Sequence, residues 1–429
     1  MKKILLTVVS LLMIQTIGWA QNQYIHCGTL IDGTGATPQK EMTVVISDKK
    51  ITEVKKGYLT PPNGTELIDL KDQTVMPGFI DLHVHLENET SADNYLKRFT
   101  LNEADVAFDA VVYAKRTLMA GFTTVRDVGG SGVNIALKKA IKAGKVIGPR
   151  IYTSGKSLAI TGGHADPTNG YKRELMGNPG PKEGVVNSVE DAKKAVRQRY
   201  KNGADLIKIT ATGGVLSVAS DGDGAHFSEK EIAAIVEAAK DLGFHVAAHA
   251  HGDEGMQRAI KNGVKTIEHG TYMSEETMKL MKQYNAYYIP TITAGDFVAQ
   301  KAAVKGYYPV VVAKKAAVIG PKISDTFGKA YKMGVNIGFG TDAGVFPHGE
   351  NAREFELMVE AGMTPMDAIV SATKTNAFIL EKSDQFGQLK AGLFADIVAV
   401  KGDPLKDISV LKKVSFVMKE GVVYKMEDE

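Results

Sequence analysis

Between residues 75 and 340 the chain alternates short apolar runs with helical patterns, and this limits the folds open to it more than any other feature. Apolar runs of strand length fall at 75–85, 123–128, 150–157, 206–210, 245–250, 265–268, 286–293 and 335–340. Helical periodicity occupies stretches such as 104–119, 189–201, 229–241, 275–284 and 352–361. Ser228 and Ser274 stand before acid-rich first turns, as N-caps do. Gly243, Gly263 and Gly334 stand where a helix closes on a left-handed residue. Eight strand-then-helix units over about three hundred residues predict an α/β fold, a (β/α)8 TIM barrel. The competitor is an open doubly wound sheet. No GxGxxG follows the first strand, however, and Gly129-Gly130-Ser131-Gly132 matches no Walker motif.

The two ends read differently. Short β-like segments occupy 24–30, 42–47, 50–56 and 66–70, and again 397–401, 415–419 and 422–425. Their alternating apolar residues need a partner surface, so both ends are expected to meet as one small composite β-sandwich, 21–75 with 386–429, beside a barrel at 76–385. Residues 1–20 belong to neither. Lys2-Lys3, an apolar run from Ile4 to Ile14 and Gly18-Trp19-Ala20 before Gln21 read as a secretory signal peptide. The apolar run is well short of the ~20 residues that span a bilayer. The expectation is an exported bacterial protein, periplasmic or secreted, with no membrane anchor after cleavage. Loss of two lysines takes the formal charge from +3 to +1, which leaves no basic excess for nucleic acid or anionic lipid. Cys27 is the single cysteine, so an intramolecular disulfide and any thiolate cluster are excluded, and a metal would have to rest on His, Lys or carboxylate.

The first barrel strand carries His83 and His85 in the run Met76-Pro77-Gly78-Phe79-Ile80-Asp81-Leu82-His83-Val84-His85-Leu86. Residues two apart on a strand share a face, so the two imidazoles can converge on one ion. Alternatively, both are hydrogen-bonded core histidines. The fourth strand places Lys208 in Leu206-Ile207-Lys208-Ile209, where an unpaired ammonium is costly to bury. It is either salt-bridged in the interior or converted by carbon dioxide to an anionic carbamate that can bridge two metals. The fifth strand ends His249-Ala250-His251, the sixth ends Glu268-His269, and the eighth leads into Thr341-Asp342. A barrel gathers its site at the C-terminal strand ends. His83, His85, Lys208, His249, His269 and Asp342 would therefore meet at one rim, with the ligand types zinc favours.

This pattern resembles the amidohydrolase superfamily: HxH on strand one, Lys on four, His on five and six, Asp on eight. The run Ser371-Ala372-Thr373, with Asn376-Ala377 and Gly387 to Val398, is similar to that family too. The residue three beyond His249 is Gly252, where the one-metal deaminases carry Glu. Together with Lys208 this resembles the two-metal, carbamate-bridged hydrolases. Thr161-Gly162-Gly163-His164, Glu268-His269-Gly270-Thr271 and Pro347-His348-Gly349-Glu350-Asn351 resemble the Xaa-Pro dipeptidase (prolidase) group. That group often has tyrosine where this chain has His251.

The resemblance implies a metal-dependent hydrolase of amide bonds in small substrates, a dipeptidase of Xaa-Pro type. It would use two divalent ions, zinc first, bridged by carboxylated Lys208 and sharing a hydroxide. His83, His85 and Asp342 would hold one ion, and His249 and His269 the other. Asp342 would shuttle the proton, and His164 would polarise the carbonyl or hold the oxyanion. His164, His251 and His348 are the candidate substrate contacts, while His26, His226 and His245 read as structural. Arg126 and Arg353 are candidate partners for a substrate carboxylate, with solvated helix faces as the alternative. The partner is a small molecule or dipeptide, and a homo-oligomer is possible. Two rival readings are a mononuclear, imidazolonepropionase-like hydrolase of a cyclic amide and a non-catalytic exported binding protein.

Overall fold

A computed structural model describes residues 22–219 and 222–427 of the chain. The signal-peptide reading of residues 1–20 lies outside the described residues.

Eight parallel strands form the centre: Phe79–Val84, Phe122–Asp127, Arg150–Thr153, Ile207–Thr210, Val246–Ala250, Thr266–His269, Tyr287–Ile289 and Asn336–Ile337. The first three make one sheet and the last five another. Backbone bonds join them at both edges. Leu158, just past the third strand, donates to Lys208 O and accepts from Thr210 N. On the other side Leu82 N donates to Phe339 O, Asp342 N to His83 O and His85 N to Ala343 O. The arrangement is TIM-barrel-like, with helices between the strands.

Local chemistry explains the helix boundaries. Helix Glu229–Asp241 opens with a capping box in which Ser228 and Glu231 satisfy each other's backbone N–H groups. Helix Glu275–Gln283 starts where Ser274 Oγ accepts from Thr277 N. Gly243, Gly263 and Gly334 do adopt positive φ. Other expectations shift. The run 75–85 is two strands rather than one: Glu66–Pro77 belongs to the terminal sheet and Phe79–Val84 to the barrel, with Gly78 at the crossing. A Cβ on Gly78 would lie 2.2 Å from Thr123 Oγ1, so only glycine lets the chain turn this tightly against the second strand. The seventh strand stops at Ile289, because Thr291 turns left-handed at φ 52° and helix Ile292–Ala302 begins. That helix and Val310–Lys332 lie where sequence periodicity indicated none.

Strands from both termini join in one seven-stranded sheet. Strand Glu66–Pro77 is the seam. Glu66 to Val75 run parallel to Gln23 to Leu30 along one edge, and Gln73 to Pro77 pair antiparallel with Ile397–Lys401 along the other. This sheet has its own apolar core, which includes Ile25, Cys27, Val44, Ile46, Phe416 and Met418. Among the described residues no helix is long and apolar enough to cross a membrane.

Arg150 fastens the sheet to the barrel. Its guanidinium donates to Thr124 Oγ1 and Asp396 Oδ2 at 2.7 Å and to Glu420 Oε1 at 2.8 Å, while stacking within 5.0 Å of the Phe386 and Phe394 rings. Removing one member of a largely buried ion network strands the others. Arg150→Ala is expected to destabilise the protein by about 3 kcal/mol, measured by urea unfolding. A change below about 0.5 kcal/mol would show that the clamp contributes nothing to holding the two layers.

Candidate metal centre and active site

A cavity of about 310 Å³ opens at the C-terminal ends of the barrel strands. Its floor contains His83, His85, Lys208, His249, His269 and Asp342, and its walls include His164 and His251. The six residues expected as ligands, drawn from five strands or strand ends, thus meet in one place. His83, His269 and Asp342 each present a ligand atom within 4.8 Å of the others. Asp342 Oδ1 lies 3.3 Å from His85 Nε2 and 3.5 Å from His83 Nε2. Lys208 Nζ lies 3.5 Å from His83 Nε2. The His249 and His269 rings are 4.7 Å apart.

Bonds on the outer side fix which nitrogen faces inward. His83 Nδ1 is bonded to Glu268 Oε2 at 2.8 Å, His85 Nδ1 to Gly129 O at 2.8 Å and His269 Nδ1 to Thr291 Oγ1 at 2.7 Å. Each therefore keeps Nε2 for the cavity. His249 is reversed, with Nε2 bonded to Gly213 O at 3.0 Å. Metal-binding imidazoles are oriented by such partners.

The electrostatics point the same way. Burial holds His83 down at about 4 and pushes His249 and His269 well below the usual range, so these rings are neutral, which is the form that ligates. Burial lowers the Lys208 amine to about 8. Burial would raise Asp342, but His83 and His85 outweigh it and keep the carboxyl ionised. Asp342 Oδ1 is buried and accepts no hydrogen bond. An orphaned carboxylate oxygen facing two imidazole nitrogens is costly unless a cation completes it. The donor set therefore fits a divalent metal.

Backbone geometry aims the last ligands. His269 and Asp342 have φ of 71° and 61°, and Thr291, the partner of His269, has 52°. Left-handed conformations in non-glycine residues cost free energy and concentrate at functional sites. Asp81, fully buried, accepts from His83 N, Thr341 N, Thr341 Oγ1 and Asn351 Nδ2 and so ties the first strand to the loop carrying Asp342.

His164 stacks on His249 at 4.4 Å between centroids, its Nδ1 is buried without a partner, and burial lowers it to about 3. A Cβ on Gly214 would come within 2.2 Å of that ring, so the glycine makes room for it. His251 lines the cavity with Nδ1 bonded to Thr271 Oγ1.

Three expectations are corrected. His348 does not line the cavity: it is 3% exposed, bonds Asn88 O and stacks on Tyr113. Arg126 is fully buried, donating to Leu82 O, Thr266 Oγ1 and Glu268 Oε1, and has no reach to a substrate. Arg353 pairs with Glu356 outside the cavity. His26, His226 and His245 lie off the cavity lining. Sequence reasoning passed over Glu268, although a carboxylate inside an apolar strand is itself a signal of a buried partner.

The amidohydrolase family profile matches residues 74–424. The chain belongs to the amidohydrolase family. Within that family it is 34% identical to the ochratoxinase of Aspergillus niger over 96% of this chain and 89% of that one. It is 26% identical to an imidazolonepropionase of Fusobacterium nucleatum over 82% of this chain and 83% of that one. Among solved structures, a Xaa-Pro dipeptidase with bound methionine in its active site superposes with a TM-score of 0.92 at 50% identity, covering 94% of this chain and all of that one. This amidohydrolase is a hydrolase acting on amide bonds. Its family is metal-dependent, and the His83, His269 and Asp342 group can hold a metal.

Glu268 joins His83 to Arg126, and burial, which would raise it, is outweighed by that guanidinium and by His83, so it stays strongly ionised. Glu268→Gln is expected to weaken metal affinity about 10- to 100-fold with the circular dichroism spectrum unchanged. Titration of the stripped protein with zinc and a competing chelator measures this. Unchanged affinity would refute an orienting role for Glu268.

Proposed function

We propose that this chain is a metal-dependent hydrolase of amide bonds in small substrates, a dipeptidase of Xaa-Pro type. Two divalent ions, zinc in the first instance, would be held by His83, His85 and Asp342 and by His249 and His269, with carboxylated Lys208 between them. One observation carries the reading: four histidines and an aspartate line one cavity with a buried lysine whose amine lies 3.5 Å from His83 Nε2 and has no acid within ion-pair distance among the described residues. A lysine so placed is costly as a cation, and its low proton affinity leaves free amine to add to carbon dioxide, releasing a proton and forming an anionic carbamate. The similarity to a Xaa-Pro dipeptidase supports the substrate type.

Bound divalent ions would supply a water acidic enough to act as nucleophile near neutral pH. The chain's own residues do the rest. The ionised Asp342 carboxylate is the base placed to take the nucleophile's proton and return it to the leaving nitrogen. His164, neutral at its buried Nδ1 and stacked on His249, is placed to steady charge on the carbonyl oxygen. His251, held by Thr271, borders the substrate space.

The similarity to an imidazolonepropionase favours a second reading, a one-metal hydrolase of a cyclic amide. We also read residues 1–20 as a signal peptide, residues 76–385 as a closed (β/α)8 barrel, and the protein as exported to the periplasm or beyond. It would act on small molecules or dipeptides without nucleic acid, and a homo-oligomer is compatible with this.

Two measurements decide between the readings. Metal analysis should find two ions per chain, and chelation should abolish hydrolysis of Xaa-Pro dipeptides. Lys208→Ala should lose at least about hundredfold in kcat/KM and recover part of it with added short carboxylic acids. Full activity at one metal per chain, with a cyclic amide preferred over dipeptides, would replace the dipeptidase reading with the second one.

A further inference from the structure

The cavity has polar lining beyond the metal-centre residues. Helix Asn94–Thr100 follows the first barrel strand and turns Asn94, Tyr95 and Arg98 toward the cavity. Arg98 lies three residues after Tyr95 and four after Asn94, the spacings that share a helix face, so it neighbours both. Tyr95 is fixed by its own hydroxyl, which donates to Leu216 O at 2.8 Å. The Arg98 guanidinium sits over the Tyr95 ring, 5.5 Å from its centroid. Its other contact is a long one, Nη1 to Asn169 O at 3.5 Å, and among the described residues no carboxylate pairs with it. Two acids close to it in sequence pair elsewhere: Asp93 with Lys97, and Glu89 with Arg116.

Tyr308 faces the same cavity from between helices Ile292–Ala302 and Val310–Lys332. It is 7% exposed, and its hydroxyl has no hydrogen-bond partner. A buried phenol without a partner is costly, and tyrosine hydroxyls normally find one. Its ionisation is pushed up by burial first, and then by Tyr307 and Tyr95, so it is a neutral donor that lies close to Tyr95. The same cavity also has apolar lining, which includes Val215, Val298, Ile319 and Ile323.

We propose that Arg98 and Tyr308 form an anion subsite that binds the free carboxylate of the substrate, selecting N-acyl amino acids or dipeptides with an apolar residue and an unblocked C-terminus. The inference rests on the hydrolase reading for the orientation of the substrate, with its amide at the metal-centre end. The physical case is an exposed guanidinium at the cavity mouth with no carboxylate partner and a buried hydroxyl with no acceptor, both lining one cavity. Guanidinium and phenol are both donors, so an acceptor-rich anion satisfies them together. The stacking on Tyr95 holds the guanidinium in place, which lowers the ordering cost on binding. The apolar wall would take the side chain of the residue that carries the carboxylate.

The test separates recognition from turnover. Binding of L-leucine and of L-leucinamide to the metal-loaded protein is measured by titration calorimetry for the natural chain, Arg98→Gln and Tyr308→Phe. In parallel, kcat/KM is measured for a leucine-terminated dipeptide and for its C-terminal amide. The expected result is at least about a tenfold preference for the carboxylate, mostly lost in Arg98→Gln and partly lost in Tyr308→Phe. The kinetic loss should fall on KM, with the amidated dipeptide little affected by either substitution. Equal binding of acid and amide overturns the subsite. So does a preference that both variants keep, because the carboxylate would then be held at the metal centre. A preference abolished by the variants in a protein that hydrolyses no dipeptide retains the subsite and overturns the dipeptidase reading instead.

Discussion

A buried chain of charge runs through the barrel from Arg126 to Glu268 to His83, and the metal-centre geometry hangs on it. Arg126 and Glu268 are both fully buried and lie 2.7 Å apart. The other carboxylate oxygen takes His83 Nδ1, which leaves His83 Nε2 facing Asp342 and Lys208. A buried pair of this kind contributes little net stability, since desolvation offsets most of the attraction. Breaking it is a different matter, because either partner alone would be a bare charge in an apolar interior. Its evident consequence is orientation: one ring, one tautomer, one direction.

The strand ends add a second constraint. Three consecutive barrel strands, sixth to eighth, have left-handed non-glycine residues at or beyond their C-terminal ends, His269, Thr291 and Asp342. Each such residue costs on the order of 1–3 kcal/mol and persists only where neighbours over-determine it. Those neighbours are visible. Tyr288 Oη donates to His269 O, Glu354 accepts from Ile292 N and Thr293 N just after Thr291, and Asp342 N donates to His83 O. The strain is held by the packed barrel and places two ligand side chains where an ordinary strand end would not.

Much of this was legible in the sequence. Strand alternation, helix caps at Ser228 and Ser274, and the polar residues at strand ends follow from local rules of period and propensity. The six residues His83, His85, Lys208, His249, His269 and Asp342 stood out because histidine, lysine and aspartate interrupt apolar runs. Glu268 interrupts one in the same way, and its role was missed because its partner, Arg126, lies 142 residues away. His348 and Arg353 show the opposite error: motif position suggested contact with substrate, while packing turned one into a core hydrogen bond and the other into a surface ion pair.

The sequence by itself determined the parallel α/β architecture, the meeting of the two termini and the identities of the residues at the cavity floor, because these depend on which residues are apolar, at what spacing. Only the tertiary structure decided that the terminal strands share one sheet, which nitrogen of each histidine faces inward, and that Arg98, without a carboxylate partner, and the unsatisfied Tyr308 hydroxyl line the same cavity as the metal-centre residues. Those outcomes depend on pairings between residues far apart in the chain. Hydrogen bonding and desolvation select among such pairings only once the whole core has closed around them.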